Sequence, residues 1–370
     1  MNNNNFWHGK RVLITGGDGF VASNLAIKLS QEGAVVVLIM RHHRPILTID
    51  LVGASDEVKS AIYIEQTNLL DLSALRRICD RHQVDTIFHL AASVIVSDAA
   101  NSPYSTIENN IIGTLNILEV ARINKISRVL SVSTDKSYGD HLNDTSEPLP
   151  YKENYALRGL DVYSSSKVCS DMLAQTYSYQ YKVPVLVARA CNIYGVGDLN
   201  FSRLIPKTIM CLLSKKSPII NAGNSSVLRE YIYVSDVVDA YLLLMEKVGD
   251  YYGKNNCNMP KNGKETYGWA SFNVGTCAKL DHNNEKKLDN VKSVVEVIGL
   301  LQNRIENIDS VEREKALNFI EIPDQYLDST KINNLGFKSK VSFEEGLEKT
   351  VKWYQDNYDY LIRLAHKYIQ

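Results

Sequence analysis

Along the first half of the chain, short apolar runs alternate with longer amphipathic stretches. RVLIT (11–15), VVVLIM (35–40), AIYIE (61–65), TIFHL (86–90), RVLSV (128–132) and PVLVAR (184–189) have strand length and are largely apolar throughout, as strands covered on both faces are. Between them lie segments of helix length, such as SNLAIKLSQEG (23–33) and LSALRRICDRHQ (72–83). This alternation predicts βαβ units and a doubly wound parallel sheet. The second half changes character. Residues 200–216 read as a helix, followed by a short strand near SPIINA; 231–248 read as a strand running into a helix, and 272–276 as a strand. A helix over 342–358 opens on Ser342 with Glu345 three residues on, a capping-box signature. The polar stretches 250–268 and 278–290 read as surface loops. Two regions result, 1–190 and 191–370, the second partly interleaved with the first.

Composition narrows the function classes. A chain of 370 residues with 45% hydrophobic content suits one large α/β unit or two modest domains. Forty-one basic residues against 42 acidic ones give a net charge of −1, which points away from nucleic acid and membrane partners. No apolar run reaches the ~18 residues that span a bilayer, and MNNNNFWHGK lacks the apolar core of a signal peptide. Cys79, Cys169, Cys191, Cys211, Cys257 and Cys277 follow no CxxC or zinc-like spacing. They read as reduced thiols of a cytoplasmic protein without a metal site.

The first strand runs into TGGDGFVASNL (15–25), which opens the first helix. Gly16 and Gly19 provide a tight turn and a close backbone approach to a pyrophosphate, Ala22 allows close helix–strand packing, and the helix N-terminus offers free N–H groups. In this context the glycines indicate a dinucleotide site. The fold class is therefore α/β: a Rossmann-type doubly wound parallel sheet over 1–190, with a smaller C-terminal α/β substrate-binding region over 191–370. An NAD site should end the second strand in an acid that accepts from the ribose 2′-OH. Here Ile39 and Met40 stand at that place, followed by Arg41, His42, His43 and Arg44. The basic cluster favours the 2′-phosphate of NADP; NAD remains the alternative, with the cluster a solvated turn. Asn68 and Leu69, after the third strand, are placed to meet the adenine.

Two further motifs carry acid–base groups. In YSSSK (163–167), Tyr163 and Lys167 share a helix face at i, i+4. An ammonium beside a phenol favours the phenolate, a base able to take a hydroxyl proton as hydride leaves the same carbon. The fifth strand ends in Thr134, Asp135 and Lys136, a hydroxyl, an acid and an amine side by side.

TGGDGF, FHLAA (88–92), NNIIGT (109–114), STDKSYG (133–139), YSSSK, RACNIYG (189–195) and REYIYVSDV (229–237) occur in the order found in extended short-chain dehydrogenases/reductases. The chain resembles that family, which comprises nucleotide-sugar epimerases and dehydratases. The Thr-Asp pair resembles its 4,6-dehydratases, and Thr134-Asp135-Lys136 resembles the CDP-glucose 4,6-dehydratase variant. That group usually reads GHTGFKG where this chain has GGDGFVA, and it uses NAD.

The resemblance implies cofactor contacts from Phe20, Val21, Leu90, Ala91, Ala92, Tyr163 and Lys167, and a structural role on the cofactor side for His89. It implies that Tyr163 takes the sugar 4-OH proton with Thr134 bonded to the same oxygen. Lys136 would remove the C5 proton and Asp135 donate to the departing C6 hydroxyl. A purely structural role for Lys136, as partner of Asp135 or of a phosphate, stays open. Asn192, Arg203 and Arg229 are candidates for the substrate's sugar and pyrophosphate. Helices around 105–123 and 163–181 would pair in a homodimeric helix bundle. The expected reaction converts a nucleotide hexose to a 4-keto-6-deoxy sugar. The alternatives are a nucleotide-sugar epimerase or reductase, and a non-catalytic nucleotide-binding member.

Overall fold

The computed structural model describes residues 5–369 apart from 43, 45, 95, 142–143, 222, 253–267, 277–288, 307 and 314–321. His43, Cys257, Cys277 and most of the two polar loops lie outside the described residues.

The strands are β1 (Arg11–Thr15), β2 (Val35–Met40), β3 (Ile62–Gln66), β4 (Thr86–His89), β5 (Arg128–Thr134), β6 (Val185–Ala190), β7 (Asn192–Tyr194), β8 (Ile219–Asn221), β9 (Leu228–Tyr233), β10 (Ser271–Val274), β11 (Val291–Ser293) and β12 (Val311–Arg313). Seven of them form one parallel sheet in the order β10-β6-β5-β4-β1-β2-β3. Except in the edge strand β3, where Tyr63 and Ile64 are exposed with no further strand beside them among the described residues, the apolar runs are buried on both sides because successive residues alternate between two cores. Val12, Ile14, Val36 and Leu38 pack with helices Phe20–Gln31 and Val234–Tyr251. Leu13, Val37, Ile39 and Ile87 face the other way, onto helices Leu72–His82, Gly113–Ile123 and Val162–Tyr181. A third core joins Tyr194, Tyr231 and Tyr233 to helices Leu204–Leu213, Val294–Gln302, Phe343–Asp356 and Tyr358–Ala365. No helix among the described residues is long and apolar enough to cross a membrane.

The expected strands and helices are present, with shifted ends that matter for the site. β5 runs on to Thr134 because the polar residues Ser133 and Thr134 still pair with Arg189 and Ala190 of β6. The sheet thus carries a hydroxyl to its crest. The helix expected from residue 200 starts at Leu204; before it, Asp198 holds a turn by accepting from the Asn200 N–H at 3.0 Å and from Arg203 at 3.0 Å. Ser342 does cap its helix, through the Glu345 N–H at 3.2 Å, but the Glu345 carboxylate pairs with Lys349 at 2.6 Å rather than closing a box. A reciprocal box forms instead at Ser293 and Glu296.

β1 lies between β2 and β4, so the strand order reverses there. A crevice opens at the carboxyl ends of β1 and β4, the place where open α/β sheets bind ligands.

Candidate active site

The crevice is a cleft of about 550 Å³, within the ~300–1,000 Å³ usual for ligand and cofactor sites. Gly16 and Gly19 form its floor. Gly16 has φ +72°, and a Cβ there would stand 3.0 Å from the Ala91 Cα; a Cβ on Gly19 would stand 2.9 Å from the Gly16 carbonyl oxygen. Both positions therefore need glycine. The helix begins at Phe20 with no side chain capping it, leaving its first-turn N–H groups for a ligand. Phe20, Val21, Arg41, Leu69, Leu90, Ala91 and Ala92 all line the cleft. Asn68 is not among the lining residues; its Oδ1 accepts from the Leu70 N–H at 3.1 Å and shapes the turn that presents Leu69. The basic cluster does not act as a unit, because Arg44 is paired with Asp18.

A hydrogen-bond chain of one polarity fixes the far wall. The Leu90 and Ala91 N–H groups donate to Thr15 Oγ1 at 3.2 and 3.1 Å. With its lone pairs engaged, Thr15 donates to His89 Nδ1 at 2.8 Å, so His89 Nε2–H donates to Thr114 Oγ1 at 2.9 Å, which donates to the Asn110 carbonyl at 2.6 Å. Burial, and then the Lys167 charge, push the imidazole down to about 3, which keeps this ring neutral at ordinary pH. The sequence did not reveal Asn110. It sits on a π-helical turn, Glu108–Ile112, and its side chain clamps the Ser93 backbone, accepting from the N–H at 2.7 Å and donating to the carbonyl at 3.2 Å. Such turns are frequent at functional sites. The signal was its place inside NNIIGT, not its residue type.

The acid–base groups gather at the end of β5. Thr134 donates to Asp135 Oδ1 at 3.0 Å. Asp135 is buried, and its Oδ2 has no hydrogen-bond partner. Lys136 Nζ lies 3.9 Å from Asp135 Oδ1, at the limit of an ion pair, and 3.4 Å from Asn192 Oδ1. Tyr163 and Lys167 lie in the first turns of helix Val162–Tyr181, whose N-cap Asp161 accepts from the Ser164 N–H at 2.9 Å.

The structure alters the expected electrostatics. Burial pushes the Tyr163 phenol up to about 12; Arg203 and the Thr134 hydroxyl favour the phenolate, while Asp135 opposes it. Lys167 is not the charge that leads here. Its Nζ donates to the Val132 carbonyl at 2.6 Å, and burial brings it down to about 8 against the pull of Asp171.

The candidate substrate residues part company. Arg203 lines the cleft, pairs with Asp198 at 3.0 Å and acts on Tyr163, so it links the two halves of the site. Asn192 is held by donating to the Glu230 carbonyl at 3.0 Å. Arg229 donates to the carbonyls of Pro323 and Ile322 at 2.7 and 2.6 Å, stitching β9 to the segment before Gln325.

Residues 13–350 match the family described as GDP-mannose 4,6 dehydratase. The chain is 30% identical to dTDP-glucose 4,6-dehydratase 1 of Escherichia coli (strain K12), covering 94% of this chain and 93% of that protein. It is 29% identical to a dTDP-D-glucose 4,6-dehydratase of Dictyostelium discoideum, over 98% of this chain and 86% of the other. A solved dTDP-glucose 4,6-dehydratase from Bacillus anthracis, in complex with NAD, superposes with a TM-score of 0.76 at 23% identity, over 96% of this chain and all (100%) of the other. A UDP-glucose 4-epimerase from Thermotoga maritima, with UDP-glucose, gives a TM-score of 0.75 at 24% identity, over 94% of this chain and 99% of the other. Both solved structures share this fold.

Proposed function

The chain belongs to the GDP-mannose 4,6-dehydratase family of extended short-chain dehydrogenases/reductases, and from that premise we propose that it converts a nucleoside-diphosphate hexose to the 4-keto-6-deoxy sugar. The observation that carries this reading is the cluster at the end of β5. A buried acid with an unpartnered oxygen and an amine stand beside the hydroxyl that meets the Tyr163 phenol. An epimerase has no leaving hydroxyl to protonate and no use for that pair.

The residues fit a nicotinamide dinucleotide. Two glycine positions that no Cβ could occupy, an uncapped helix N-terminus and apolar walls from Leu69, Leu90 and Ala91 make a cradle for a pyrophosphate and its flanking rings. Gly16, Gly19 and the first helical turn would hold the phosphates, Leu69 the adenine, and Tyr163 with Lys167 the nicotinamide ribose. When bound, the dinucleotide supplies a hydride acceptor and a positive charge. Arg41 at the rim supports NADP over NAD.

The chain's own groups account for the proton movements. Tyr163 removes the proton of the sugar 4-hydroxyl, with Thr134 bonded to the same oxygen. Arg203 and Thr134 work against the burial that raises the phenol, and the ligand's charge acts in the same direction. The 4-ketone acidifies C5–H. Lys136, anchored on a neutral amide at Asn192 rather than in a close ion pair, takes that proton. Asp135 delivers a proton through Oδ2 to the departing C6 hydroxyl. With the dinucleotide bound, hydride from C4 would return to C6 after water leaves across C5–C6, and Lys136 would give a proton back to C5, so that protons and redox both close within one turnover.

A panel of nucleotide hexoses, read by mass spectrometry, tests the reaction: loss of one water is expected from at least one of them, whereas an isomer of unchanged mass would replace this reading by epimerisation. Lys136→Ala is expected to slow solvent deuterium entry at C5 by about 100-fold or more; exchange at the wild-type rate would remove Lys136 as the base. We also propose a homodimer through helices Pro103–Ile107, Gly113–Ile123 and Val162–Tyr181. On or beside these helices Tyr104, Ile107, Ile112, Met172 and Tyr179 expose apolar surface. Sedimentation should give the mass of two chains, and a single-chain mass would contradict it.

A further inference from the structure

Asp18 places a carboxylate inside the glycine-rich turn, where a ligand's phosphates would approach. Local partners neutralise it. Its carboxylate accepts from Arg44 Nε and, at 2.7 Å, from the Thr48 N–H; its carbonyl accepts from Arg44 Nη2 at 3.0 Å and from Thr48 Oγ1 at 2.9 Å. The Asp18 side chain is only 11% exposed and that of Arg44 42%. Asp18, Arg44, Thr48 and Arg41 line the same cleft. The end of β2 offers Ile39 and Met40 rather than an acid for a ribose hydroxyl, and beside these three charges His42 also lines the cleft. Arg41 is exposed and has no side-chain partner among the described residues.

We propose that Asp18 sets the dinucleotide preference by holding Arg44 away from the ribose 2′ position. The inference rests on the reading of the cleft as a dinucleotide site. A 2′-phosphate attracts guanidinium groups through charge-assisted, often paired, hydrogen bonds. To recruit Arg44 it must break the contact with Asp18 and leave that carboxylate unpaired beside a second anion. A ligand with a 2′-hydroxyl incurs neither cost. Arg41 alone then meets a 2′-phosphate, and discrimination between NAD and NADP is shallow until Asp18 is neutralised.

The test measures the dissociation constants of NAD⁺ and NADP⁺ by calorimetry for the full-length wild type, Asp18→Asn, Arg44→Ala and the double variant, at one ionic strength. Asparagine retains the acceptor for the Thr48 N–H and loses only the charge. Asp18→Asn is expected to improve NADP⁺ binding relative to NAD⁺ by about tenfold, the scale of one hydrogen bond to a charged group. Arg44→Ala is expected to bring no gain for NADP⁺ over NAD⁺, since Arg44 is already withheld and the Asp18 carboxylate left without its cation repels a 2′-phosphate. In the double variant most of the gain should vanish. A ratio unmoved by Asp18→Asn, or a gain that persists undiminished without Arg44, would overturn the proposal while leaving the cleft as the dinucleotide site. Failure of the wild type to bind either dinucleotide would overturn both.

Discussion

Replacing Tyr163 by Phe is expected to lower turnover by about 100- to 10,000-fold, the usual contribution of a positioned acid–base group, with dinucleotide and substrate affinities changed little. The ring is half-buried and phenylalanine fills the same volume, so the loss is confined to one hydroxyl. That hydroxyl stands where burial opposes ionisation, Arg203 and Thr134 favour it, and Asp135 opposes it. On the proposed reading, Arg203 would influence catalysis through Tyr163 as well as meeting phosphate. Steady-state rates with separate KM values for sugar and dinucleotide check this: a fall in kcat with unchanged KM is the expected pattern. Retention of wild-type kcat would take Tyr163 out of the chemistry.

Arg189→Met is expected to cost about 3–5 kcal/mol of stability, the range for removing one partner of a buried ion pair. Arg189 is completely buried. It donates to both oxygens of Asp171, at 2.9 and 3.0 Å, and also to the Tyr138 hydroxyl and the Glu153 carbonyl, each at 2.9 Å. It thereby ties β6 to helix Val162–Tyr181 and to the turn that follows Asp135 and Lys136. Burial pushes the Asp171 carboxyl up, but the Arg189 charge and its hydrogen bonds outweigh burial and hold it below its ordinary range. In the wild type the stability from this carboxylate is present above the unfolded value near ~3.9 and lost as pH falls through the lower folded value. Without Arg189, burial is opposed only by the hydrogen bonds from Ser133 and Gln175, so Asp171 should rise and the deficit should be largest at neutral pH and narrow in acid. Adding Asp171→Asn should recover part of the loss, because no unpaired carboxylate is then buried. Urea midpoints at two pH values check both statements; a deficit independent of pH and unrelieved by Asp171→Asn would assign the effect to packing.

The sheet was legible because its strands are apolar on both faces, and the glycine turn because only a few residue types tolerate its backbone. The end of β5 was legible as chemistry, though not as strand: Ser133 and Thr134 break the apolar run, and only their pairing with β6 extends it. Contacts made across the chain were hidden. Asp18 and Arg44 are 26 residues apart, and each looks like an ordinary surface charge when read alone. Arg229, a candidate for a pyrophosphate, also donates to carbonyls 93 and 94 residues away, contacts no local pattern reveals. A guanidinium looks the same in sequence whether it meets phosphate or backbone. The π-helical turn at Asn110 inserts one residue into a helix without any compositional mark.

The most direct measurement of the central claim uses a nucleotide hexose carrying deuterium at C4, followed by mass spectrometry and NMR of the product. If one site oxidises C4, eliminates water and returns the same hydride, the product is lighter by one water and carries the deuterium in a new C6 methyl group, with no net reduction of dinucleotide. Deuterium retained at C4 in a product of unchanged mass, or lost to accumulating reduced dinucleotide, would contradict the account.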